Sequence, residues 1–254
     1  MNHLDCGCFV GAWPFHKIRH PSFADLRALH MKNGISGGFV SSTDAIFWND
    51  PWEAELDLAK ALKGFPSYRH VMTVNPTLPG VWDDLERAVR SLSVAGVRVL
   101  PGFHGYALSD DCAKPLWDWL RRHRLPLFIS MRVEDERVTH LFHPRSLTVA
   151  EVGGFLKAES GFPVVVSNVR DNELPALRDV ILSRPDVFAD AAGFKGSLFF
   201  LDDLAPTGLL PRVIYGSYAP VHCLKSTLLV VETAKIGAAV PESILTAENF
   251  LKVL

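Results

Sequence analysis

The sequence predicts an α/β protein of the (β/α)8 class, a TIM barrel built as a single domain over residues 1–254. Three observations point there. A short run rich in Val, Ile and Phe, a break of Gly, Pro, Asn or Asp, and a longer amphipathic stretch recur along the chain, the signature of the βα unit. Runs such as FPVVVSN and LPLFISM are apolar on both faces, which suits a parallel sheet covered by helices. Finally, 254 residues is the usual size of such a barrel. An open doubly wound sheet would need a phosphate-binding glycine turn after its first strand, and the GAWPFHK that follows Val10 does not supply one.

In chain order the strands are expected at 4–10, 35–41, 70–74, 96–100, 126–131, 163–167, 187–191 and 212–216. The helices between them are expected near 22–33, 52–63, 80–94, 112–123, 148–159, 173–184, 196–204 and 221–237, with an extra C-terminal one near 242–253. Ser22, Asp110, Thr148 and Asn172 stand where N-caps are needed.

Composition narrows the function classes. Lys plus Arg number 26 against 28 Asp plus Glu, with a net charge of −2 and no long run of one sign, so nothing marks a nucleic-acid partner. No apolar run approaches the roughly 18 residues of a membrane span, and no N-terminal signal pattern precedes the first strand. The expectation is a cytoplasmic protein with no membrane partner. Its four cysteines, Cys6, Cys8, Cys112 and Cys223, are too scattered for a disulfide framework.

In a barrel the chemistry belongs at the C-terminal ends of the strands. Reading along those ends gives Cys8 and Phe9, Ser41 and Ser42, Asn75, then His104 and Tyr106, then Ser130 and Arg132 running on to Arg137, His140 and His143. Ser167, Asn168 and Arg170 follow, then Asp190 and Lys195, and finally Ser217, Tyr218 and His222.

The segments LDCGCFVG, GVRVLPGFHGYALSDD, PLFISMR, PVVVSNVRD, VIYGSYAP and ILTAENFLKVL together resemble the amidohydrolase-related family, a branch of barrel-fold hydrolases and decarboxylases. The resemblance implies a distorted barrel with its site at the strand C-termini, often around one divalent metal. It also implies histidines at the places of Gly7, Phe9, Ser130 or Met131, and Ser167 or Asn168, and an aspartate at the place of Tyr218. All five have changed, and Gly, Phe and Ser cannot supply the imidazoles and carboxylates that zinc and similar ions require. The sequence therefore predicts no metal and no cofactor.

Spacing offers two replacement ligand sets. Cys6 and Cys8 alternate along a strand, which places both on one face and lets either meet His222 or Cys223 across the barrel; buried packing is the plainer reading. His140 and His143 stand at i, i+3 without a third partner of obvious spacing.

The remaining candidates are polar. Arg132 and Arg137 are expected to clamp an anionic substrate, with His104, Asp135 or His140 carrying a proton and Asn75, Asn168, Tyr106 and Tyr218 contacting the ligand. An Arg/Glu network closing the barrel mouth explains residues 129–143 equally well. Asp190 reads as a general base or a structural pair with Arg170 or Lys195, and the glycines around Lys195 speak against a desolvated Schiff-base lysine. Trp13, Phe15, Phe47, Trp48 and Trp52 crowd two early loops, as a pocket lining, a subunit contact or simple packing. Two functions follow: a metal-independent hydrolase or decarboxylase for a small carboxylated or cyclic substrate, or an inactive barrel kept for binding or scaffolding. A metal hydrolase with rearranged ligands is the third reading, and a homo-oligomer is compatible with any of them.

Overall fold

A computed structural model of the chain describes residues 2–134, 137, 138 and 142–254. Eight parallel strands run in the order β1 to β8: His3–Val10, Ile35–Ser42, Tyr68–Val74, Gly96–Val99, Leu127–Ser130, Val164–Ser167, Val187–Asp190 and Val213–Ile214. Each pairs with the next in sequence. Backbone bonds from Cys6 N to Tyr215 O at 2.8 Å, Tyr218 N to Gly7 O at 2.6 Å and Phe9 N to Ala219 O at 2.7 Å bring β8 back to β1 and nearly close the barrel. The predicted fold class is the observed one, and every expected strand is present.

Helices lie between the strands, and their ends follow local chemistry. Ser22 and Thr148 both form capping boxes, with Asp25 and Glu151 at the third helical position reaching back. Two other expected caps fail. Helix Lys114–His123 starts after Ala113, and Asp110 instead accepts the amide of Ala107. Pro175 lies in a 3-10 turn, Leu174–Leu177, preceded by Glu173, so Asn172 caps nothing and helix Arg178–Leu182 is short. The helix expected at 196–204 shrinks to Phe200–Leu204, and the C-terminal one divides into Ala239–Thr246 and Glu248–Leu251 at the left-handed Ala247. No described helix is long and apolar enough to cross a membrane.

The barrel interior is layered. Cys6, Phe39, Val71, Phe128, Val165, Phe188 and Ile214 fill its lower part. The Phe250 ring plugs it from beneath, 5.4 Å from Phe39 and 5.5 Å from Phe188. A bulge in β1 between Asp5 and Cys8 breaks the expected alternation. Cys6 therefore joins the interior layer while Cys8 packs with Phe23, Leu26 and Val40 beneath the first helix, so the two thiols share no face. Cys223 is exposed just before helix Leu224–Glu232, whereas Cys6 and Cys8 are buried in β1.

An aromatic cap covers the mouth. Trp13 touches Phe47 at 5.2 Å, Phe15 at 5.9 Å and Phe103 at 6.1 Å between ring centres, and Phe142 lies 5.5 Å from Phe15. The three Trp13 contacts are edge-to-face and the Phe15–Phe142 pair is stacked, and together they bury apolar area and fix the loops against one another. Trp48 and Trp52 take no part: Trp48 is exposed, and the Trp52 ring lies under the Arg87 guanidinium.

Candidate functional site

Beneath that cap, at the centre of the barrel, lies Arg98 of β4. It is paired in register with Phe128, an interior residue, and so points inward from an otherwise apolar strand. Its Nε donates to Ser41 Oγ at 2.9 Å, and its Nη1 donates to Ser130 Oγ at 3.1 Å and Tyr218 Oη at 3.2 Å. The guanidinium carbon sits 4.8, 5.3 and 5.4 Å from the ring centres of Phe9, Phe128 and Tyr218. Hydroxyls and ring faces thus compensate a fully buried cation.

Asp190 ends β7 in the same interior. Its Oδ1 accepts the amides of Asn168 at 2.8 Å and Ala192 at 3.1 Å. Burial pushes its carboxyl above the usual range and outweighs the hydrogen bonds of the Asn168 and Ala192 amides and the charge of Arg98. Burial likewise lifts the Tyr218 phenol to about 12, so it donates to Ser130 Oγ at 2.6 Å and is no base near neutrality.

The five positions at which the resemblance implies metal ligands surround this cation. Gly7 offers no donor, and a Cβ there would stand 3.1 Å from Asp190 Oδ2. Phe9 packs edge-on to Tyr218 at 5.0 Å. Ser130 and Tyr218 bond Arg98, Ser167 is buried beside them, Met131 belongs to the outer core, and Asn168 is held by backbone contacts. Hydroxyls, a phenol and one carboxylate with a raised pKa do not make a cage for a divalent ion, and Arg98 adds repulsion. The residues present do not fit the family's metal.

Among the described residues, one group of three could approach a metal: Asp5, Cys8 and His30, whose donor atoms lie within 4.8 Å of one another. It lies behind β1, under the first helix, away from the mouth. Its bonds are already made. His30 joins Asp5 Oδ2 and Tyr68 Oη, each at 3.2 Å, while Asp5 also accepts from the Gly7 and Ser217 amides and the Ser217 hydroxyl. Cys8 donates to Phe39 O at 3.4 Å, and burial drives its thiol far up. The cluster reads as a satisfied polar network in the wall.

Beside the barrel centre, over the ends of β5 to β8, opens a cavity of about 440 Å³. Among the described residues four basic side chains line it, Arg132, Arg137, Arg170 and Lys195, against two acidic ones, Glu134 and Asp171. Arg132 is oriented by a two-pronged contact with Glu173, Nη2 to Oε1 at 2.6 Å and Nη1 to Oε2 at 2.8 Å, and Glu173 also takes the Arg170 amide at 2.9 Å. Asn168, in the left-handed region at φ 58°, donates Nδ2 to Arg132 O at 3.0 Å. Lys195 Nζ and His222 Nδ1 are hydrogen-bonded at 2.9 Å in the cavity wall, and the His222 ring stacks 5.5 Å from that of Tyr218. Gly193 allows the Lys195 loop to approach, since a Cβ there would meet Val169 O at 2.1 Å.

The structure gathers some sequence candidates and separates others. Arg132, Arg137 and Asn168 share the cavity, with Tyr218 next to it under His222. His104 is elsewhere: it bonds Ile46 O at 3.1 Å, and burial depresses its imidazole to about 4. Tyr106 is buried in the outer core, its phenol driven well up by burial. Asn75 accepts from the amide and hydroxyl of Thr77, the turn chemistry of a strand end. Asp135 and His140 lie outside the described residues. Sequence reading missed Arg98, whose only signal is a charge between two apolar strand residues in GVRV.

No protein-family model and no curated protein matches the chain. Solved structures do. Similar over nearly their full lengths are 5-carboxyvanillate decarboxylase from Sphingomonas paucimobilis, at TM-score 0.74 and 12% identity, covering 99% of this chain and 98% of that one; dihydroxybenzoic acid decarboxylase from Polaromonas sp. JS666, with bound manganese and 2-nitroresorcinol, at 0.73 and 15%, covering 100% and 98%; and a probable 2-pyrone-4,6-dicarboxylic acid hydrolase from Acinetobacter baumannii with citric acid bound, at 0.69 and 13%, covering 100% and 99%. At these identities the likeness is one of fold, and it is the barrel that hydrolases and decarboxylases share.

Proposed function

We propose that the protein binds a small carboxylated molecule in the cavity over β5 to β8 and acts on it without a metal ion, as a decarboxylase or hydrolase. The observation that carries this reading is the Lys195–His222 pair, held at 2.9 Å in a wall that Arg132, Arg137 and Arg170 also line. The arginines would hold a carboxylate, and the pair would carry a proton. Of the two reactions, decarboxylation asks least of this chain. The bond to the carboxyl carbon breaks, carbon dioxide leaves, and the electron pair left behind takes a proton that Lys195 and His222 hand over and regain from water. Asn168 and the Arg132 backbone would fix the ligand's edge. That similar barrels act on or hold carboxylated compounds supports the ligand class.

A second reading, a barrel that binds without turnover, is favoured by one feature: the aromatic cap over Arg98 closes the barrel centre. Calorimetric titration with 2,6-dihydroxybenzoate, 5-carboxyvanillate and 2-pyrone-4,6-dicarboxylate, followed by carbon dioxide and ring-opening assays with and without chelator, separates the two. Turnover that survives chelation and is lost in Lys195→Met supports the first reading. Saturable binding lost in Arg170→Glu, without turnover, supports the second. Turnover only with added metal overturns the metal-free chemistry, and no binding overturns both.

A further inference from the structure

A second cavity, of about 420 Å³, lies between the 16–20 loop, the end of helix Phe23–Lys32 and the start of helix Leu224–Glu232. It shares one wall residue, His222, with the first. Its charge is one-sided. Among the described residues Lys17, Arg19, Lys32 and Lys225 line it, all exposed, and no Asp or Glu does, while Glu134 reaches the lining His16. None of the four is engaged by a carboxylate among the described residues, whereas Lys60, Lys114 and Lys252 elsewhere on the surface are. Like charges crowded around a concavity repel one another and raise a positive potential that focuses on it. The floor is apolar: Ile18 and Leu224 are buried, with Leu29 and Val221 beside them.

We infer that this cavity is a binding site for a small amphipathic anion, an apolar body bearing a phosphate or carboxylate head. The body excludes water from Ile18, Leu29, Val221 and Leu224, a gain of about 25 cal/mol for each Å² covered. The head relieves the repulsion among the four cations. Neither half of the site explains the other: a scattered basic surface needs no apolar floor, and an apolar floor alone selects no charge. Among the described residues the site shares His222 with the proposed reaction, while its four cations and its apolar floor are other residues.

Cys223, exposed at this rim, reports on occupancy, because Cys6 and Cys8 are buried and Cys112 is partly so. The experiment follows alkylation of Cys223 in the full chain by peptide mass spectrometry while octyl phosphate, octanoate, inorganic phosphate or octyltrimethylammonium is added. Octyl phosphate and octanoate are expected to slow alkylation saturably and more weakly as salt rises, inorganic phosphate to need far higher concentration, and the ammonium to give no protection. Lys17→Glu with Lys225→Glu should raise the apparent Kd at least about tenfold. Both positions are exposed, and should the double variant fail to fold, the anion-against-ammonium comparison in the native chain decides alone. Arg170→Glu should leave protection unchanged, which separates this site from the first. Equal protection by the ammonium, no saturable protection by either octyl anion, or an unchanged Kd in the folded double variant would overturn the assignment.

Discussion

Arg98 and Tyr218 stand 120 residues apart in sequence, yet Arg98 Nη1 donates to Tyr218 Oη at 3.2 Å in the centre of the barrel. Tyr218 Oη in turn donates a hydrogen bond to Ser130 Oγ, so β4, β5 and the turn after β8 are tied through one guanidinium. The bond joins a residue of an otherwise apolar strand to the turn after β8.

Truncating Arg98 should therefore cost stability and not solubility. Arg98→Ala removes the shared donor and leaves a void ringed by Ser41, Ser130 and Tyr218, for a loss on the order of 3–5 kcal/mol in urea unfolding. Arg98→Met fills the volume and removes the buried charge, and Tyr218 and Ser130 still satisfy each other; its loss should be about 2 kcal/mol smaller. Equal losses would show that the hydrogen bonds matter and the volume does not.

Asp190→Asn should stabilise the protein at neutral pH. The amide oxygen keeps the Asn168 and Ala192 amides, and the new Nδ2 takes the place of Oδ2, a buried atom without a hydrogen bond, near Ser167. The sign follows from linkage. Burial raises the folded pKa of Asp190, so the folded state holds a proton that the unfolded chain releases, and stability falls as pH climbs from about 3.8 through the raised value. The gain of Asp190→Asn, read from urea midpoints, should be about 1–2 kcal/mol at pH 8 and shrink toward pH 4. A gain independent of pH would deny that the carboxylate is the penalised form.

How far the sequence could have revealed these relationships differs from place to place. The strands were legible because an apolar run between Gly or Pro breaks is a local signal, and PVVVSN becomes β6 almost to the residue. The bulge in β1 was not, because its cause is the fit of Gly7 against Asp190 and Tyr218 from the far side of the barrel. Arg132 was legible as a cation at a strand end, but its clamp, Glu173, lies 41 residues on. Arg98 was passed over for the same reason: what makes its burial tolerable comes from β1, β2, β5 and the turn after β8.

His104 supplies a second pH dependence, of the opposite sign. Its imidazole is depressed to about 4 because burial disfavours the charged ring, although its bond to Ile46 O pulls the other way. The unfolded chain takes a proton below about 6.5 that the folded chain refuses until about 4. Stability is then whole above 6.5 and falls through that interval, by on the order of 3 kcal/mol. His104→Gln, which can still donate to Ile46 O, should flatten the curve between pH 6.5 and 4 while changing stability at pH 8 by less than about 1 kcal/mol. If the slope persists in the variant, another group causes it.

The Asp5–His30 pair tests whether the wall network stands on hydrogen bonds. Burial pushes the Asp5 carboxyl up, but the His30 bond and charge and the two Ser217 bonds outweigh it, and its net pKa is lowered. Its stabilisation is therefore present above about 3.8 and lost as pH falls through the lowered value. Asp5→Ala strands His30 Nε2, the Ser217 hydroxyl and two amides in a buried site, at a cost of about 3–5 kcal/mol. Cys8, by contrast, makes only weak thiol bonds, to Phe39 O at 3.4 Å and Asp5 O at 3.9 Å, so Cys8→Ala should cost only about 1 kcal/mol, and a chelator should leave Tm in place. A zinc centre here would reverse the order: the thiolate would be a ligand, Cys8→Ala would cost as much as Asp5→Ala, and chelation would lower Tm by many degrees. Thermal melts of the two variants and of chelated native protein, read beside a metal count on the purified chain, therefore decide whether Asp5 answers to protons or to an ion.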